Sequence, residues 1–336
     1  MEISSNKDTG WQPSASLEVI QQRAEMLART RRYFVEKGVL EVETPLLASA
    51  TTPDPNIPSF STAAANSGDP SRNQPCRYLS TSPEFAMKRL LAAGSGPIYQ
   101  ICKAFRQGER GRLHNPEFTL LEWYRPGFDH HRLMDDVAAL VMDLAEGYRV
   151  FEAEERLTYG DCFQRYLELD PYVVDVPRLK ICAEQQGLET HSGLAGMDRD
   201  GWLDLLMSHC IQPNLGQDRL SFVYDYPASQ AALAKIRPGS PPVAERFELF
   251  MDGVELVNGF HELRDAAEQK ARFESELQRR QENGLDRVEI DEYLLAALEA
   301  GLPGCAGVAM GLDRLLLVLT RASRLEEVLT FPYDRV

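Results

Sequence analysis

Apolar positions recur at helical spacing over residues 17–36 and stop at Lys37-Gly38, so a long first helix is predicted there. Residues 39–44 read as a short strand running into Pro45, and 77–81 as a second strand. Between them, 53–75 is rich in proline, serine, alanine and asparagine and is expected to be an exposed, mobile loop. Ser82-Pro83-Glu84 starts a helix, with a capping hydroxyl, a proline at the first position and an acid in the first turn. Apolar-rich strands at 98–106 and 117–125 flank a polar loop; 133–146, 159–167, 178–186 and 199–210 then read as helices of an inserted region, about 130–215. Strands resume at 220–226 and 246–259, helices at 266–283 and 291–300, and a strand at 307–310 feeds a last helix, 312–320. Hairpins mixed with flanking helices predict an α+β fold on an antiparallel sheet rather than a βαβ succession. One domain over 17–336, behind a polar tail of 1–16, is the expected organisation.

Composition narrows the class. With 43% hydrophobic and 26% charged residues among 336, the chain has the balance of an ordinary soluble globular protein. No apolar run nears the roughly 20 residues that span a bilayer, so no membrane partner is expected. Six scattered cysteines form no C-x-x-C pair, which makes a disulfide framework or a structural zinc unexpected and suits a reducing cytoplasm. The net charge of −15 argues against an extended nucleic-acid footprint. Locally the sign inverts: residues 77–125 hold eight Lys/Arg against four Glu, a setting for a small anionic ligand such as a nucleotide.

Three constellations carry candidate chemistry. Asp252-Gly253 is a two-residue hairpin turn, which would set Phe250 opposite Glu255 and Glu248 opposite Val257. Glu248 and Glu255 then share a largely apolar face, where two carboxylates repel unless a cation bridges them, and hard oxygen ligands of this kind suit Mg²⁺. One buried and one solvated glutamate would give the same pattern. Around the 106–116 loop, Arg106, Arg110, Arg112, His114 and Asn115 offer donors that suit phosphate, and on the return strand Glu122 and Tyr124 point to one face, a seat for an ammonium group. A solvated hairpin tip with a sheet-edge ion pair fits equally. Residues 307–314 run from a small-residue strand into a helix whose first turn holds Asp313 and Arg314; glycines there also serve simple packing.

Together these segments resemble class II aminoacyl-tRNA synthetases. Residues 37–45 are similar to motif 1, 105–119 to motif 2 and 307–314 to motif 3, in that order. The connecting blocks 81–84, 222–228 and 246–263 resemble the lysyl-tRNA synthetases in particular, and the likeness covers nearly the whole chain from Leu17. It implies that Arg106 binds the α-phosphate and the amino-acid carboxylate, Arg314 the γ-phosphate end of a bent ATP, and that His114 and Asn115 line the adenine and ribose pocket. Glu248 and Glu255 would hold Mg²⁺; Leu256, Asn258 and Gly311 would also contact substrates. Glu84 would receive the backbone amine, with Ser82 and Pro83 beside it also binding substrate, and Glu122, Tyr124 and Glu262 would hold the terminal ammonium. Strict alternation from Glu255 puts Glu262 on the opposite face, so a bulge or strand end is expected near Gly259.

Three positions depart from the lysyl-tRNA synthetase pattern. Motif 1 begins with no anticodon-binding barrel ahead of it, Ala309 stands where motif 3 usually has glycine, and Gly108 fills the usual motif 2 glutamate position with Glu109 one later. Glu109 takes over the adenine contact if the loop shifts. The first two departures, together with 11–16 and 115–126, resemble the truncated lysyl-tRNA synthetase paralogues that modify elongation factor P. That likeness implies ATP-dependent activation of (R)-β-lysine, with Ala309 in the pocket floor, and transfer to a lysine of elongation factor P. It implies a motif 1 homodimer and no tRNA partner. A truncated synthetase activating α-lysine, or a non-catalytic lysine- or nucleotide-sensing paralogue, are the alternatives.

Overall fold

The Ser16 hydroxyl accepts from the Val19 N–H at 3.2 Å and caps α1 (Leu17–Glu36), whose buried residues Met26, Thr30 and Phe34 lie four apart. Gly38 follows at φ 66° and turns the chain into β1 (Leu40–Glu41), two residues of the predicted 39–44 strand. The computed structural model describes residues 10–62, 76–151, 154–189 and 196–336. Of the predicted 53–75 loop, Ser61–Thr62 forms β3, while 63–75 lies outside the described residues. β3 pairs β4 (Arg77–Leu79), which also pairs β2 (Leu47–Ala48), in a small three-stranded sheet. The expected tail is partly tied down: Ser14 and Ala15 donate to the Thr330 and Leu329 carbonyls.

β1 begins one edge of a nine-stranded sheet. Inward come β5 (Ile98–Phe105) and β6 (Glu117–Pro126), then β12 (Cys305–Gly311), β11 (Val254–His261) and β10 (Val243–Met251). β8 (Leu220–Pro227) and β7 (Glu154–Thr158) close the far edge, and β9 (Ile236–Arg237) pairs β10 off the main path. The central pairs are antiparallel, as expected, while β1/β5 and β7/β8 at the two edges are parallel. β7, whose first three residues are charged, is not among the predicted elements.

One face of the sheet is closed by α1, α3 (His130–Ala145) and α9 (Leu312–Leu319), with Phe34, Trp123, Val137, Leu249, Val308 and Leu316 in their common core. Phe34 stacks on Tyr99 with ring centroids 4.3 Å apart. The other face carries two smaller cores. Helices α4 (Tyr159–Leu167), α5 (Val176–Gln185) and α6 (Arg199–Leu206), with the turns running to Asn214, cover β8 and β10. At the β5/β6 end, α2 (Glu84–Ala92), α7 (Ala266–Glu282) and α8 (Glu292–Gly301) pack around Met87, Tyr124, Phe273 and Leu298. The expected helical insertion is thus divided: α3 belongs to the main core, and α4–α6 form a core of their own. Between the two smaller cores the middle of the sheet is left open. Among the described residues no helix is long and apolar enough to cross a membrane.

Candidate active site

A cavity of about 910 Å³ lies over that open stretch of sheet. Its floor is set by strand register. Ala309 on β12 stands between Glu122 on β6 and Asn258 on β11, while Gly307 stands between Tyr124 and Phe260. Residues at these even steps point to one face, so the predicted amine-binding side chains converge.

The hairpin that carries Glu255 differs from its sequence reading. Met251 faces Val254 and Phe250 faces Glu255, but Leu249 then faces Val257 and Glu248 faces Asn258, not Val257. One extra residue, Leu256, is inserted in β11, so the bulge sits there rather than near Gly259, which pairs regularly with Phe247. The inserted residue reverses the parity of the strand. It brings Asn258, Phe260 and Glu262 onto the cavity face together with Glu255, as the predicted roles require.

At the floor Glu122 and Glu262 are 2% and 1% exposed. The Tyr124 hydroxyl donates to Glu122 at 2.7 Å. Burial pushes the Glu122 carboxyl up to about 8, with the charge of Glu84 adding to the effect. Burial likewise pushes Glu262 up to about 7, against the opposing pull of Lys88. Lys88 is the residue that sequence reasoning missed. It is 1% exposed, and its Nζ lies 2.7 Å from Glu84 and 2.6 Å from Glu262. Burial alone would weaken its hold on a proton, but the two carboxylates raise it above the ordinary lysine value. Its spacing from Glu84, four residues along α2, was a visible pairing signal; its burial was not. Gly307 was also missed as a site residue. A Cβ there would fall 2.2 Å from the Tyr124 ring and 2.4 Å from Glu262 Oε1, so only glycine leaves room for both.

The other end of the cavity is cationic. Arg106 lies over the Phe118 ring at 5.0 Å, with Nη1 3.4 Å from Glu109 and Nε 3.4 Å from the Thr81 carbonyl. Gly108, at φ 82°, turns the loop so that Glu109 rather than residue 108 faces the cavity. Arg314 donates to the Glu255 carbonyl at 3.0 Å and the Leu113 carbonyl at 3.2 Å, and its Nη2 sits 2.7 Å from His114 Nε2. Burial and the adjacent Arg314 charge lower the proton affinity of His114, favouring the neutral ring. Asp313, next along, accepts from the Thr119 N–H at 2.7 Å and pairs with Arg23 at 2.6 Å, fixing the start of α9 against β6 and α1. Asn115 lines the cavity too, though its amide also donates to the Glu117 carbonyl and accepts from the Tyr333 N–H.

Ser82, Pro83, Glu84, Leu256 and Gly311 also line the cavity, whereas Glu248 and Gly108 do not. The Ser82 hydroxyl accepts from the Glu84 N–H at 3.3 Å, and Pro83 stands at the cap position of α2, one earlier than expected. Glu248 lies behind Glu255, held by Arg246, a third missed residue that also donates to Asn258 at 3.2 Å. Burial pushes Glu248 up to about 7, with Arg246 opposing and the neighbouring Glu255 charge adding.

A family model described as tRNA synthetases class II (D, K and N) matches residues 10–335. Curated relatives match along their whole length. A protein of Pectobacterium atrosepticum named elongation factor P–(R)-β-lysine ligase is 46% identical over 330 residues, 98% of this chain and 99% of that one. Proteins of the same name are 48% identical in Vibrio cholerae, over 98% of this chain and 99% of the relative, and 48% identical in Edwardsiella ictaluri, over 97% and 98%.

Proposed function

This chain belongs to the class II tRNA synthetases (D, K and N), and we propose that it activates (R)-β-lysine with ATP and passes the β-lysyl group to a lysine ε-amino group of elongation factor P. The observation that carries the substrate class is the charge of the cavity floor. Glu84, Glu122 and Glu262 face one buried ammonium, Lys88, so once an incoming cation draws all three into their ionised forms, two negative charges are left for the ligand to neutralise. A diamino acid brings two ammonium groups there, and its carboxylate falls toward Arg106.

Bound this way, the β-lysine carboxylate attacks the α-phosphorus in line and the bond from that phosphorus to pyrophosphate breaks, giving the aminoacyl-adenylate. Arg106 steadies the carboxylate and the α-phosphate, Arg314 the γ end, with no covalent enzyme intermediate. The acceptor amine then attacks the acyl carbon, the C–O bond to AMP breaks, and the amine gives up a proton. Glu255 lines the cavity with Glu248 behind it, paired with Arg246; hard carboxylates of this kind suit Mg²⁺, and Glu255 backed by Glu248 would hold it. Bound there, the ion supplies charge neutralisation at the phosphates. The net charge of −15 weighs against tRNA as a partner, and modification of a translation factor implies a cytoplasmic setting. Incubating the enzyme, ATP and Mg²⁺ with each lysine isomer and purified elongation factor P tests the proposal. Mass spectrometry is expected to show one β-lysyl residue added, and preferential addition of α-lysine, or aminoacylation of tRNA instead, would overturn it.

A homodimer on motif 1 belongs to this reading. Leu17, Val35, Leu40 and Leu47 are all more than half exposed along α1, β1 and β2, apolar side chains that a second copy would cover. Sedimentation at micromolar concentration is expected to give the dimer mass; a monomer would exclude it.

The raised carboxyls give a pH dependence of definite sign. In the free site Glu122 and Glu262 hold protons up to about 8 and about 7, and an incoming ammonium favours their ionised forms. Affinity for the diamino acid is therefore expected to rise between about pH 6 and pH 8.5, by up to about tenfold per pH unit for each proton released. The same shifts make the ligand-free fold lose stability as pH rises from about 4.5, the ordinary carboxyl value, to about 7 for Glu262 and about 8 for Glu122. Calorimetry in buffers of different ionisation enthalpy reads the proton release directly, and pH-independent binding would count against ammonium recognition by these two groups.

Ala309, flanked by Glu122 and Asn258, puts a methyl in the cavity floor beside them. Ala309→Gly is expected to shift preference toward α-lysine, whose amine sits one carbon closer to the carboxylate. A methyl-sized change discriminates by about 1–3 kcal/mol, so the ratio of specificity constants should move tenfold or more. An unchanged ratio with both activities intact would make Ala309 a packing residue only.

A further inference from the structure

The face of the sheet turned away from the cavity holds a second cluster that the proposed reaction does not use. His130 opens α3, Glu245 lies on β10 and His261 on β11, and a ligand atom of each lies within 4.8 Å of the other two. Glu245 Oε2 and His261 Nδ1 are 2.5 Å apart. Asp225 approaches from β8, held at φ 58° by a break in the β8/β10 register, with Oδ1 3.7 Å from His130 Nε2. That separation is too long for a hydrogen bond.

His130 is the unexplained group. It is 2% exposed, and neither ring nitrogen has a hydrogen-bond partner. Buried imidazoles normally satisfy at least the nitrogen that carries the proton. Here the ring lies instead against His131, at a centroid distance of 4.1 Å, and faces His261 at 6.5 Å with a 21° interplanar angle. Two side-chain cations also face the cluster. Lys235 is 3.5 Å from Glu245, and Arg237 reaches both Glu245 and Asp225. Their side chains are 48% and 41% exposed, so both can turn into solvent, and neither pairs with His130.

The geometry points to a binding site for a divalent cation of the zinc class, held by His130, Glu245 and His261 with Asp225 as fourth donor. Two imidazoles with carboxylates favour Zn²⁺ over the all-oxygen cations Mg²⁺ and Ca²⁺. Bond lengths of about 2.0–2.2 Å put tetrahedral donors roughly 3.4 Å apart, which rotamer adjustments of His130 and Glu245 supply. Such an ion would tie α3, β8, β10 and β11 together. It would also fix the end of β11, where the residue after His261 is Glu262.

The test uses the full chain, stripped with EDTA and titrated with Co²⁺ in excess Mg²⁺. One Co²⁺ per chain is expected, with the intense visible bands of a tetrahedral nitrogen–oxygen site, no thiolate charge-transfer band, and displacement by stoichiometric Zn²⁺. His130→Gln and His261→Gln are each expected to weaken Zn²⁺ at least about tenfold and to remove the Zn²⁺-dependent rise in Tm. A weak octahedral spectrum, a thiolate band, less than one ion per chain at micromolar free metal, or unchanged affinity in both variants would each overturn the site. The unmodified chain alone decides the coordination, so a variant that does not fold leaves the test intact.

Discussion

Arg106→Ala is expected to abolish adenylate formation while leaving the fold in place. Arg106 lines the cavity and in the proposed mechanism holds both the carboxylate and the α-phosphate; it stands on the Phe118 ring with only long contacts to Glu109 and the Thr81 carbonyl. Those contacts contribute little to stability, because the side chain is 26% exposed and its ion pair at 3.4 Å is partly screened. Charge stabilisation in the transition state is another matter, since loss of one preorganised donor costs about 3–4 kcal/mol, or two to three decades of rate. Pyrophosphate exchange should fall by that factor or more, with an unchanged thermal melt. Near-normal exchange would remove Arg106 from the mechanism.

The fold and most of the site were legible in the sequence, and the places where reading failed share a cause. α1 and α4 were bounded correctly because their signals are local: a capping Ser16 and a closing Gly38 in one, a Thr158–Asp161 capping box in the other. The Asp252-Gly253 turn and the Phe250–Glu255 pair beside it were equally local. The bulge at Leu256 was not. It is fixed by β10 on one side and β12 on the other, and its consequence, parity reversal toward Glu262, was legible only as a requirement. β7 escaped because its partner, β8, is parallel and more than sixty residues away in sequence, and its charged residues do not read as a strand. Lys88 escaped for a third reason. A lysine four residues after a glutamate on a helix ordinarily marks a solvated face, and only the packing of α2 against β6 and β11 turns that pair into a buried ammonium.

That buried ammonium sharpens the outcome expected for Glu262→Gln. The substitution preserves shape but removes one of the three carboxylates at the cavity floor, so Lys88 retains Glu84 alone and the negative charge that the floor can offer a bound cation falls from two to one. A ligand with two ammonium groups then leaves one of them without a partner in a site where Glu122 and Glu262 are almost fully buried. Leaving a buried charge unpaired costs roughly 3–5 kcal/mol, so affinity for the diamino acid should fall by more than a hundredfold. ATP should be affected far less, because Arg106, His114 and Arg314 belong to the opposite, cationic end of the cavity. An amino acid of the same length with a single ammonium group supplies the internal control: its disadvantage against the diamine should shrink in the variant, since the floor then demands only one positive charge. Binding of both amino acids and of ATP by calorimetry reads all three quantities. An equal loss of ATP and amino-acid affinity would instead put Glu262 in the nucleotide site, and a diamine preference that survives intact would show that the ammonium groups are recognised elsewhere.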